Sequence, residues 1–326
     1  MTIDTFILTA LRSPSGSSIS GGEIAQKLGV TRAAVWARIR ELRALGYEIE
    51  ASPHEGYRLL NSPDVLLGDD LMSRLKGDQL IGRDIRVFQE TTSTSDVIER
   101  LASDGVKEGV VVFAESQSKG RGRLGREWIS PAGKGIWFSV LLRPNLRPVE
   151  ATQLTVAAAT AVARAIESET RLMPQVKWPN DILLGTRKVA GILTELSAEV
   201  DRVKYLILGV GLDANFEETD FPERVRDTAT SLRMELGRPV DRASLAVAML
   251  TELERNYDRI RSGRFDGIAT EWEALCITLG RQVSVRVGDR VLHGRAESLA
   301  SDGALLLRTQ HGHLERITGG DVSLKK

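Results

Sequence analysis

The chain of 326 residues contains a single cysteine, Cys276, so it forms no internal disulfide. Sparse cysteine is typical of proteins from a reducing compartment. No apolar run is long enough to span a membrane. The amino-terminal segment carries Asp4 where a secretory signal would be basic. We therefore expect a cytoplasmic protein without a membrane partner.

The chain also lacks net charge, because 44 lysines and arginines balance 44 acids. No overall field draws it to nucleic acid, so any such binding must come from a local patch. The four histidines, His54, His293, His311 and His313, have no acid or cysteine companions. Neither a zinc site nor a catalytic triad is therefore predicted.

The length predicts two or three domains rather than one compact core. Hydrophobic residues make up 42% and charged residues 27%, which is ordinary for a globular protein. Changes in pattern along the chain place the predicted domains at 1–62, 66–277 and 278–326.

Residues 1–62 have the pattern of a winged helix-turn-helix. A helix over Ile3–Leu11 is followed by Ser20-Gly-Gly-Glu23, a capping box that opens a second helix ending at Gly29. Thr31 caps a third helix, and two alternating runs, 47–51 and 56–60, predict a hairpin. The apolar stripe of the third helix is predicted to contain Val35, Ile39, Leu42 and Leu45.

In this motif the second helix after the tight turn enters the major groove of DNA. The predicted DNA contacts are therefore the wing formed by the hairpin, together with Thr31, Arg32, Trp36 and Arg40. A solvated basic face is the alternative interpretation, and Trp36 could equally belong to the core.

The middle of the chain alternates strand-like runs with helices, the latter near 95–103, 148–167, 223–236 and 241–262. This predicts an α+β fold around a mostly antiparallel sheet. From about residue 279, short strands separated by Gly-Asp, Asp-Gly and His-Gly turns predict a small β-barrel.

A glycine-rich basic loop follows the predicted strand Val110–Ala114. Arginine side chains match phosphate and carboxylate oxygens, and glycines let a backbone approach a ligand closely. The spacing of Gly120, Gly122 and Gly125 also matches a dinucleotide fingerprint, but Pro131 and the glycines after it prevent the helix that the fingerprint requires. We therefore predict an anion-binding loop of another kind.

Three further segments carry candidate chemistry. Asp181, which ends Lys177-Trp-Pro-Asn-Asp181, could hold magnesium on a nucleotide phosphate, although an ordinary turn explains the motif as well. Lys188 at a strand entrance could supply a point charge to a carboxylate or phosphate, although a strand-edge lysine by itself is usually only solvated. The glycine pair in Gly209-Val-Gly-Leu-Asp makes room for a ligand, and the hydroxyls of 91–95 precede a helix.

With these pieces in order, the chain resembles biotin protein ligases, specifically the bifunctional type that also represses the biotin operon. The most specific elements are Gly120-Arg-Gly-Arg-Leu-Gly-Arg-Glu-Trp128, Lys177-Trp-Pro-Asn-Asp181 and Lys188-Val-Ala-Gly-Ile-Leu-Thr-Glu195, and Gly319-Gly-Asp-Val-Ser-Leu is similar to the end of that family's barrel. The resemblance implies a DNA-binding winged helix-turn-helix, a biotin- and ATP-binding catalytic domain of the class II synthetase-like type, and an SH3-like C-terminal barrel.

The implied reaction uses magnesium ATP to convert biotin to biotinyl-5′-adenylate and then transfers biotin to a lysine of a biotin carboxyl carrier protein. The implied catalytic cations are Lys188, Arg121, Arg123 and Arg126. The implied biotin contacts are Ser93, Thr94, Gln117, Arg121, Arg123, Lys188, Gly209 and Gly211. The implied nucleotide contacts are Trp128, Asn180, Asp181, Asp213 and Asn215, with Asp181 as the Mg²⁺ ligand.

One residue departs from the family pattern, since Asp213 stands where asparagine is usual. This departure leaves open the alternative that the protein is a transcription factor that senses biotin but does not catalyse its activation. A lipoate ligase is the second alternative. The resemblance further implies that bound adenylate orders the basic loop and stabilises a homodimer, which presents two winged helices to operator DNA.

Overall fold

The computed structural model describes residues 2–12, 18–52 and 55–324. Two compact units make up the chain, Met1–Asp78 and Gln79–Lys326. The predicted domain bounds, 1–62, 66–277 and 278–326, stay predictions. Within the described residues, no helix combines the length and the apolar character that crossing a membrane requires.

The first unit contains the predicted helices and hairpin. The Ser20 hydroxyl accepts a hydrogen bond from the Glu23 amide and Thr31 accepts one from the Ala34 amide, so the second and third helices begin at their predicted caps. Gly29, with φ of +67°, ends the second helix. Pro53 and His54 of the predicted turn lie outside the described residues. The elements are α1 (Ile3–Leu11), α2 (Gly21–Leu28), α3 (Arg32–Ala44), β1 (Glu48–Ser52), β2 (Gly56–Asn61) and α4 (Gly68–Arg74).

The apolar stripe of α3 is shorter than predicted. Val35, Ile39 and Leu42 are buried against α1, α2 and the hairpin. Leu45 is 52% exposed, so its predicted core position is wrong. It follows the last helical residue and caps the carboxyl end of α3, where the 3.6-residue period no longer applies.

Helix α4, which the sequence analysis did not predict, is held by a buried carboxylate. Asp70 accepts hydrogen bonds from Arg12 at 2.6 Å and from the Tyr47 hydroxyl at 3.1 Å, and it pairs with Arg74 at 2.8 Å. A buried carboxylate needs such partners. Arg12 follows α1 and Tyr47 lies between α3 and β1, so these bonds connect α4 to both segments.

A seven-stranded sheet forms the centre of the second unit, in the order β3-β4-β5-β9-β8-β7-β6. Its strands are antiparallel except for the β3–β4 pair. The mostly antiparallel α+β prediction is therefore confirmed. The strands are β3 (Asp84–Thr91), β4 (Val110–Gln117), β5 (Ile136–Leu142), β6 (Gln175–Lys177), β7 (Asp181–Leu184), β8 (Arg187–Ala198) and β9 (Val203–Leu212).

Helices cover both faces of this sheet. α5 packs on the face that carries Ser139, because its Ser95 hydroxyl lies 3.0 Å from the Ser139 hydroxyl. α6 packs on the other face, where Thr155 lies 2.8 Å from Thr194. The helices are α5 (Thr94–Ser103), α6 (Thr152–Thr170), α7 (Glu223–Arg226), α8 (Leu232–Leu236), α9 (Arg242–Arg261) and α10 (Phe265–Leu275).

The helix predicted near 223–236 is instead two short helices, α7 and α8. After a turn at 227–228 the chain between them is extended, because its backbone pairs with the start of β8. The Lys188 amide donates to the Thr228 carbonyl at 2.7 Å, and the Thr230 amide donates to the Lys188 carbonyl at 2.8 Å. Helix α10 was not predicted.

The last strands form an open antiparallel sheet in the order β13-β12-β11-β10-β14. In the part of the chain that the structure describes, β13 does not pair with β14, so the closed small barrel of the prediction is not observed. The strands are β10 (Gln282–Val287), β11 (Arg290–Leu299), β12 (Leu305–Thr309), β13 (Leu314–Ile317) and β14 (Asp321–Leu324).

Candidate functional site

A cleft of about 900 Å³ lies on the α5 face of the seven-stranded sheet. It gathers residues from distant segments of the second unit, including thirteen of the fourteen residues predicted to bind biotin, bind nucleotide or act as catalytic cations. Those thirteen are Ser93, Thr94, Gln117, Arg121, Arg123, Arg126, Trp128, Asn180, Asp181, Lys188, Gly209, Gly211 and Asp213.

Three glycines form the floor of the cleft. Gly191 of β8 lies opposite Gly211 of β9, and Gly209 lies opposite Ser139, so all three share one face. The Trp128 ring occupies the space above Gly191 and Gly211, whereas Gly209 faces the hydroxyls of Ser95 and Ser139. A methyl group at Gly211 would lie 2.6 Å from Trp128 Cε2, and one at Gly191 would lie 2.9 Å from Trp128 Cζ3. The glycines therefore let the indole lie directly on the sheet.

Trp128 is fixed by its neighbours. Its ring meets Trp137 edge-on at 6.5 Å between centroids, and the Lys188 ammonium lies 5.1 Å from its ring centre. The indole Nε1 is buried and has no hydrogen-bond partner among the described residues. A ligand with an acceptor atom would satisfy it.

One wall of the cleft is a hydrogen-bonded group of hydroxyls and one amide. The Gln117 side-chain carbonyl accepts from the Thr94 amide at 2.9 Å, and its NH₂ group donates to the Ser130 hydroxyl at 2.9 Å. Thr94 in turn lies 2.8 Å from the Ser139 hydroxyl. Ser93, Thr94 and Ser95 are buried at the start of α5. This wall offers fixed polar groups to an uncharged polar ligand.

The basic loop 120–128 is a narrow hairpin. The Trp128 amide donates to the Gly120 carbonyl at 2.8 Å, and the Gly122 amide donates to the Arg126 carbonyl at 2.7 Å. Leu124 at its tip has a positive φ of 56° and is exposed.

Each predicted arginine of this loop has a defined partner. Arg121 spans Asp96 of α5 at 2.5 Å and Glu195 of β8 at 3.1 Å. Arg123 donates to the Asn180 side-chain carbonyl at 3.1 Å, and burial lowers the pKa of its guanidinium. Arg126 pairs with Asp321 of β14. The loop is therefore tied to three other elements of the second unit, α5, β8 and β14.

Lys188 and Asp181 form the cation and acid at the far side of the cleft. The Lys188 ammonium lies 2.5 Å from the Asp181 carboxylate. A β-bulge between Ile182 and Leu183 shifts the register of β7 against β8 at this point, which brings the strand-edge lysine to the cleft. Anionic ligand groups would compete with Asp181 for this ammonium.

Asn215 is the predicted residue that does not line the cleft. Its amide group donates to the Val240 carbonyl at 3.0 Å, and its carbonyl accepts from the Val240 amide at 2.9 Å. Both ends of the side chain are used by backbone, so in this structure it supports the 213–216 turn. Its predicted contact with nucleotide stays a prediction.

Asp213 lies buried at the end of β9 and lines the cleft. Burial raises the pKa of its carboxyl well above the ordinary value, and the Lys188 ammonium offsets only part of this. Within the described residues, the carboxylate accepts no hydrogen bond. An ionised Asp213 is therefore destabilising in the unliganded protein.

We expect Asp213→Asn to stabilise the unliganded protein at neutral pH but not in acid. An acid with a raised folded-state pKa loses stability as pH rises from its unfolded value through its folded value, and asparagine removes that loss. Thermal unfolding from about pH 3 to about pH 8 tests this. The variant should melt higher at the alkaline end and match the native protein at the acid end. A pH-independent difference would contradict it.

Several residues that line the cleft were not predicted as site residues from the sequence. Gly191, Ser139, Arg224 and Arg286 line the cleft but lie in ordinary strands or a short helix. The alternation of β10, in which Val283 and Val285 are buried, did indicate that Ser284 and Arg286 share the opposite face. No local signal indicated which surface that face would meet.

The predicted DNA contacts form a stripe on the first unit. Arg32, Trp36 and Arg40 follow one another at four-residue spacing along α3, and Thr31 precedes them; all four are exposed. Trp36 is 54% exposed, so it is not a core residue. The Arg40 guanidinium lies 5.2 Å from the Trp36 ring centre. Among the described residues, neither Arg32 nor Arg40 pairs with an acid, whereas Arg38 pairs with Asp4 and Glu41.

Comparison with known families defines the class of protein. Residues 87–213 match the biotin/lipoate A/B protein ligase family, residues 5–58 match an HTH domain, and residues 278–325 match the biotin protein ligase C terminal domain. A solved biotin protein ligase from Aquifex aeolicus, in complex with biotin and ATP, superimposes with a TM-score of 0.64 at 32% identity. The match covers 75% of this chain and 99% of that one.

Full-length relatives narrow this class. The chain is 38% identical over 318 residues to the bifunctional ligase/repressor BirA of Bacillus spizizenii, with 97% of each chain covered. It is 29% identical to the protein of the same name from Escherichia coli, covering 95% of this chain and 94% of that one. The chain therefore belongs to the family of bifunctional biotin protein ligases and repressors, which confirms the predicted resemblance.

Proposed function

We propose that this protein is an ATP-dependent biotin–protein ligase that also represses transcription in response to biotin. The observation that carries the ligase proposal is that a glycine floor, a hydroxyl wall and the basic loop meet in one cleft. Full-length membership of the bifunctional family supports both halves of the proposal.

In the proposed first step, a biotin carboxylate oxygen attacks the α-phosphorus of ATP. The new O–P bond forms as the bond to the bridging oxygen breaks, and diphosphate leaves with that electron pair. Negative charge concentrates at the reacting phosphate. Lys188 of β8 and three arginines of the basic loop, Arg121, Arg123 and Arg126, line the cleft where this charge would form. Donors held in place before reaction stabilise such charge without reorganisation.

Biotin and nucleotide would occupy different parts of the cleft. We assign biotin to Ser93, Thr94, Gln117 and the floor glycines Gly209 and Gly211, where neutral hydrogen-bonding groups surround a small apolar surface. We assign the nucleotide to the adjoining part of the cleft, around the Trp128 ring, which lies against Gly211 and so separates the two ligand positions. Its assigned contacts are Trp128, Asn180, Asp181, Asp213 and Asn215.

Magnesium fits this arrangement as an ion held partly by the substrate. Among the described residues, no group of three acid, histidine or cysteine side chains could hold a metal alone. Mg²⁺ commonly uses one or two carboxylates together with substrate phosphates, and Asp181 supplies one carboxylate at the cleft. When bound, the ion would neutralise phosphate charge.

Finer features belong to the same proposal. We assign the central sheet to the class II synthetase-like type and the C-terminal sheet to an SH3-like module, supported by the C-terminal family match. The partner in the second step would be a biotin carboxyl carrier protein. A cytoplasmic location is supported by the lone Cys276.

The deciding experiment is the intact mass of a biotin carrier domain after incubation with this protein, biotin and magnesium ATP. We expect a mass increase of one biotinyl group, and none with lipoate supplied in place of biotin. Biotin binding without any mass increase would instead identify a sensor that does not catalyse. An increase with lipoate alone would identify a lipoate ligase.

The repressor half of the proposal uses the exposed stripe of α3. Adenylate bound in the cleft would order the basic loop and stabilise a homodimer, and the dimer would present two copies of α3 to a palindromic operator. Two features of one chain support this coupling. They are the exposed stripe of Arg32, Trp36 and Arg40 on α3 and the cleft in which we propose that the adenylate forms.

Arg40→Ala is expected to weaken DNA binding by about 10- to 100-fold, because it removes an unpaired guanidinium from the stripe. The probe is a duplex selected from a random-sequence library with biotin and ATP present. Lys27→Ala is the matched control, since Lys27 is exposed on α2 and pairs with Glu23. Equal losses in both variants would show that α3 does not read DNA.

A further inference from the structure

The cleft contains more positive charge than the predicted motifs account for. Seven lysine and arginine side chains line it. Arg121, Arg126, Lys188 and Arg224 each pair with a carboxylate, the last with Glu127 at 2.5 Å. Arg123 donates to Asn180 and to the Gly320 carbonyl. Most of the cleft's cations are therefore already balanced by the protein.

Lys177 and Arg286 differ from the four cations of the cleft that pair with a carboxylate, because neither has an ion-pair partner within residues 2–12, 18–52 and 55–324. Lys177 lies directly opposite Asp181 in the β6–β7 pair, and Asp181 is engaged by Lys188. Lys177 thus belongs to the motif already assigned to the nucleotide. Arg286 belongs to no motif and comes from the C-terminal sheet.

Strand geometry holds Arg286 at the basic loop. It lies opposite Asp321 in the β10–β14 pair and opposite Val291 in the β10–β11 pair. All three residues line the cleft. Asp321 is engaged by Arg126, and Arg286, directly opposite Asp321 in the strand pair, lies on the same strand face. An unpaired guanidinium in this position lacks the anion that would balance it.

We propose that Arg286 binds the departing diphosphate of ATP, and thereby makes the C-terminal sheet part of the nucleotide site. This inference rests on the proposed ligase function. As the α-phosphorus bond to the bridging oxygen breaks, that oxygen and the diphosphate gain the electron pair. The Arg286 guanidinium, which has no ion-pair partner among the described residues, offers paired N–H donors to such phosphate oxygens without first breaking an internal ion pair.

The position of Arg286 favours a nucleotide phosphate over a carrier protein as its ligand. It shares the cleft wall with Arg126 and Asp321, beside the loop assigned to the phosphates. A residue that served carrier docking would affect only the second step. One that binds diphosphate would affect the first step, which needs no carrier.

The test compares Arg286→Met with Arg290→Met. Arg290 is exposed on the same hairpin, lies opposite Val287 on the other face and does not line the cleft. Adenylate formation is measured without carrier, as a function of ATP, and with added inorganic diphosphate as a product inhibitor. We expect Arg286→Met to raise the KM for ATP and the diphosphate inhibition constant about tenfold each, the size expected for one charge-assisted hydrogen bond.

Arg286→Lys is expected to recover part of both effects, because it keeps the charge but loses the fork of donors. If Arg286→Met matches Arg290→Met in both constants, or changes only the KM for carrier, the inference is wrong. If the native protein makes no adenylate at all, the proposed function fails instead. Equal melting temperatures for the variants exclude a folding defect.

Discussion

Replacing Lys188 by glutamine is expected to slow biotinyl-5′-adenylate formation about 100- to 1000-fold, the usual cost of removing one donor aimed at transition-state charge. The ammonium is held 2.5 Å from Asp181 and 5.1 Å from the Trp128 ring centre. It is thus positioned before any ligand arrives. Glutamine keeps a polar side chain, one bond shorter than that of lysine, but removes the charge.

The measurement is a single-turnover assay of adenylate without carrier. Lys204→Gln is the control, because Lys204 lies on β9 and pairs with Glu199 away from the cleft. If coupling operates as proposed, Lys188→Gln should also lose the gain in DNA affinity that biotin and ATP produce. A Lys188 variant that binds operator as the native protein does would contradict the coupling.

Gly211→Val is expected to weaken biotin binding about 10- to 100-fold. Even a methyl group at this position would lie 2.6 Å from Trp128 Cε2, and valine adds two further carbons. Trp128 or the ligand must then leave the cleft floor. Overpacking of this kind costs about 1–3 kcal/mol, which corresponds to the expected loss.

Isothermal titration with biotin measures this effect. Gly77→Val provides a control, since a side-chain carbon at Gly77 meets nothing within 4 Å and its backbone is not in the left-handed region. If Gly211→Val binds biotin with native affinity, the glycine floor is not the biotin site. A melting curve on each variant shows whether the fold itself has changed.

Local chemistry determined the secondary structure where its signals are short-range. Ser20 and Thr31 cap their helices as predicted, because a side-chain oxygen three residues before an amide needs no distant partner. Strand alternation likewise predicted the sheet segments. The helix predicted at 223–236 failed because its middle pairs with Lys188, about forty residues earlier in the chain, a contact that no local pattern encodes.

For the site, the sequence by itself determined which chemistry is present. Its motifs contain the glycines, arginines, Lys188 and Asp181, and the structure brings them into one cleft. Only the tertiary structure decided how these groups are engaged. It turned Asn215 toward Val240, placed the Trp128 ring on Gly191 and Gly211, and brought Arg286 from the C-terminal sheet. The physical reason is that pairing and burial depend on which distant segments meet, whereas residue type and spacing are written locally.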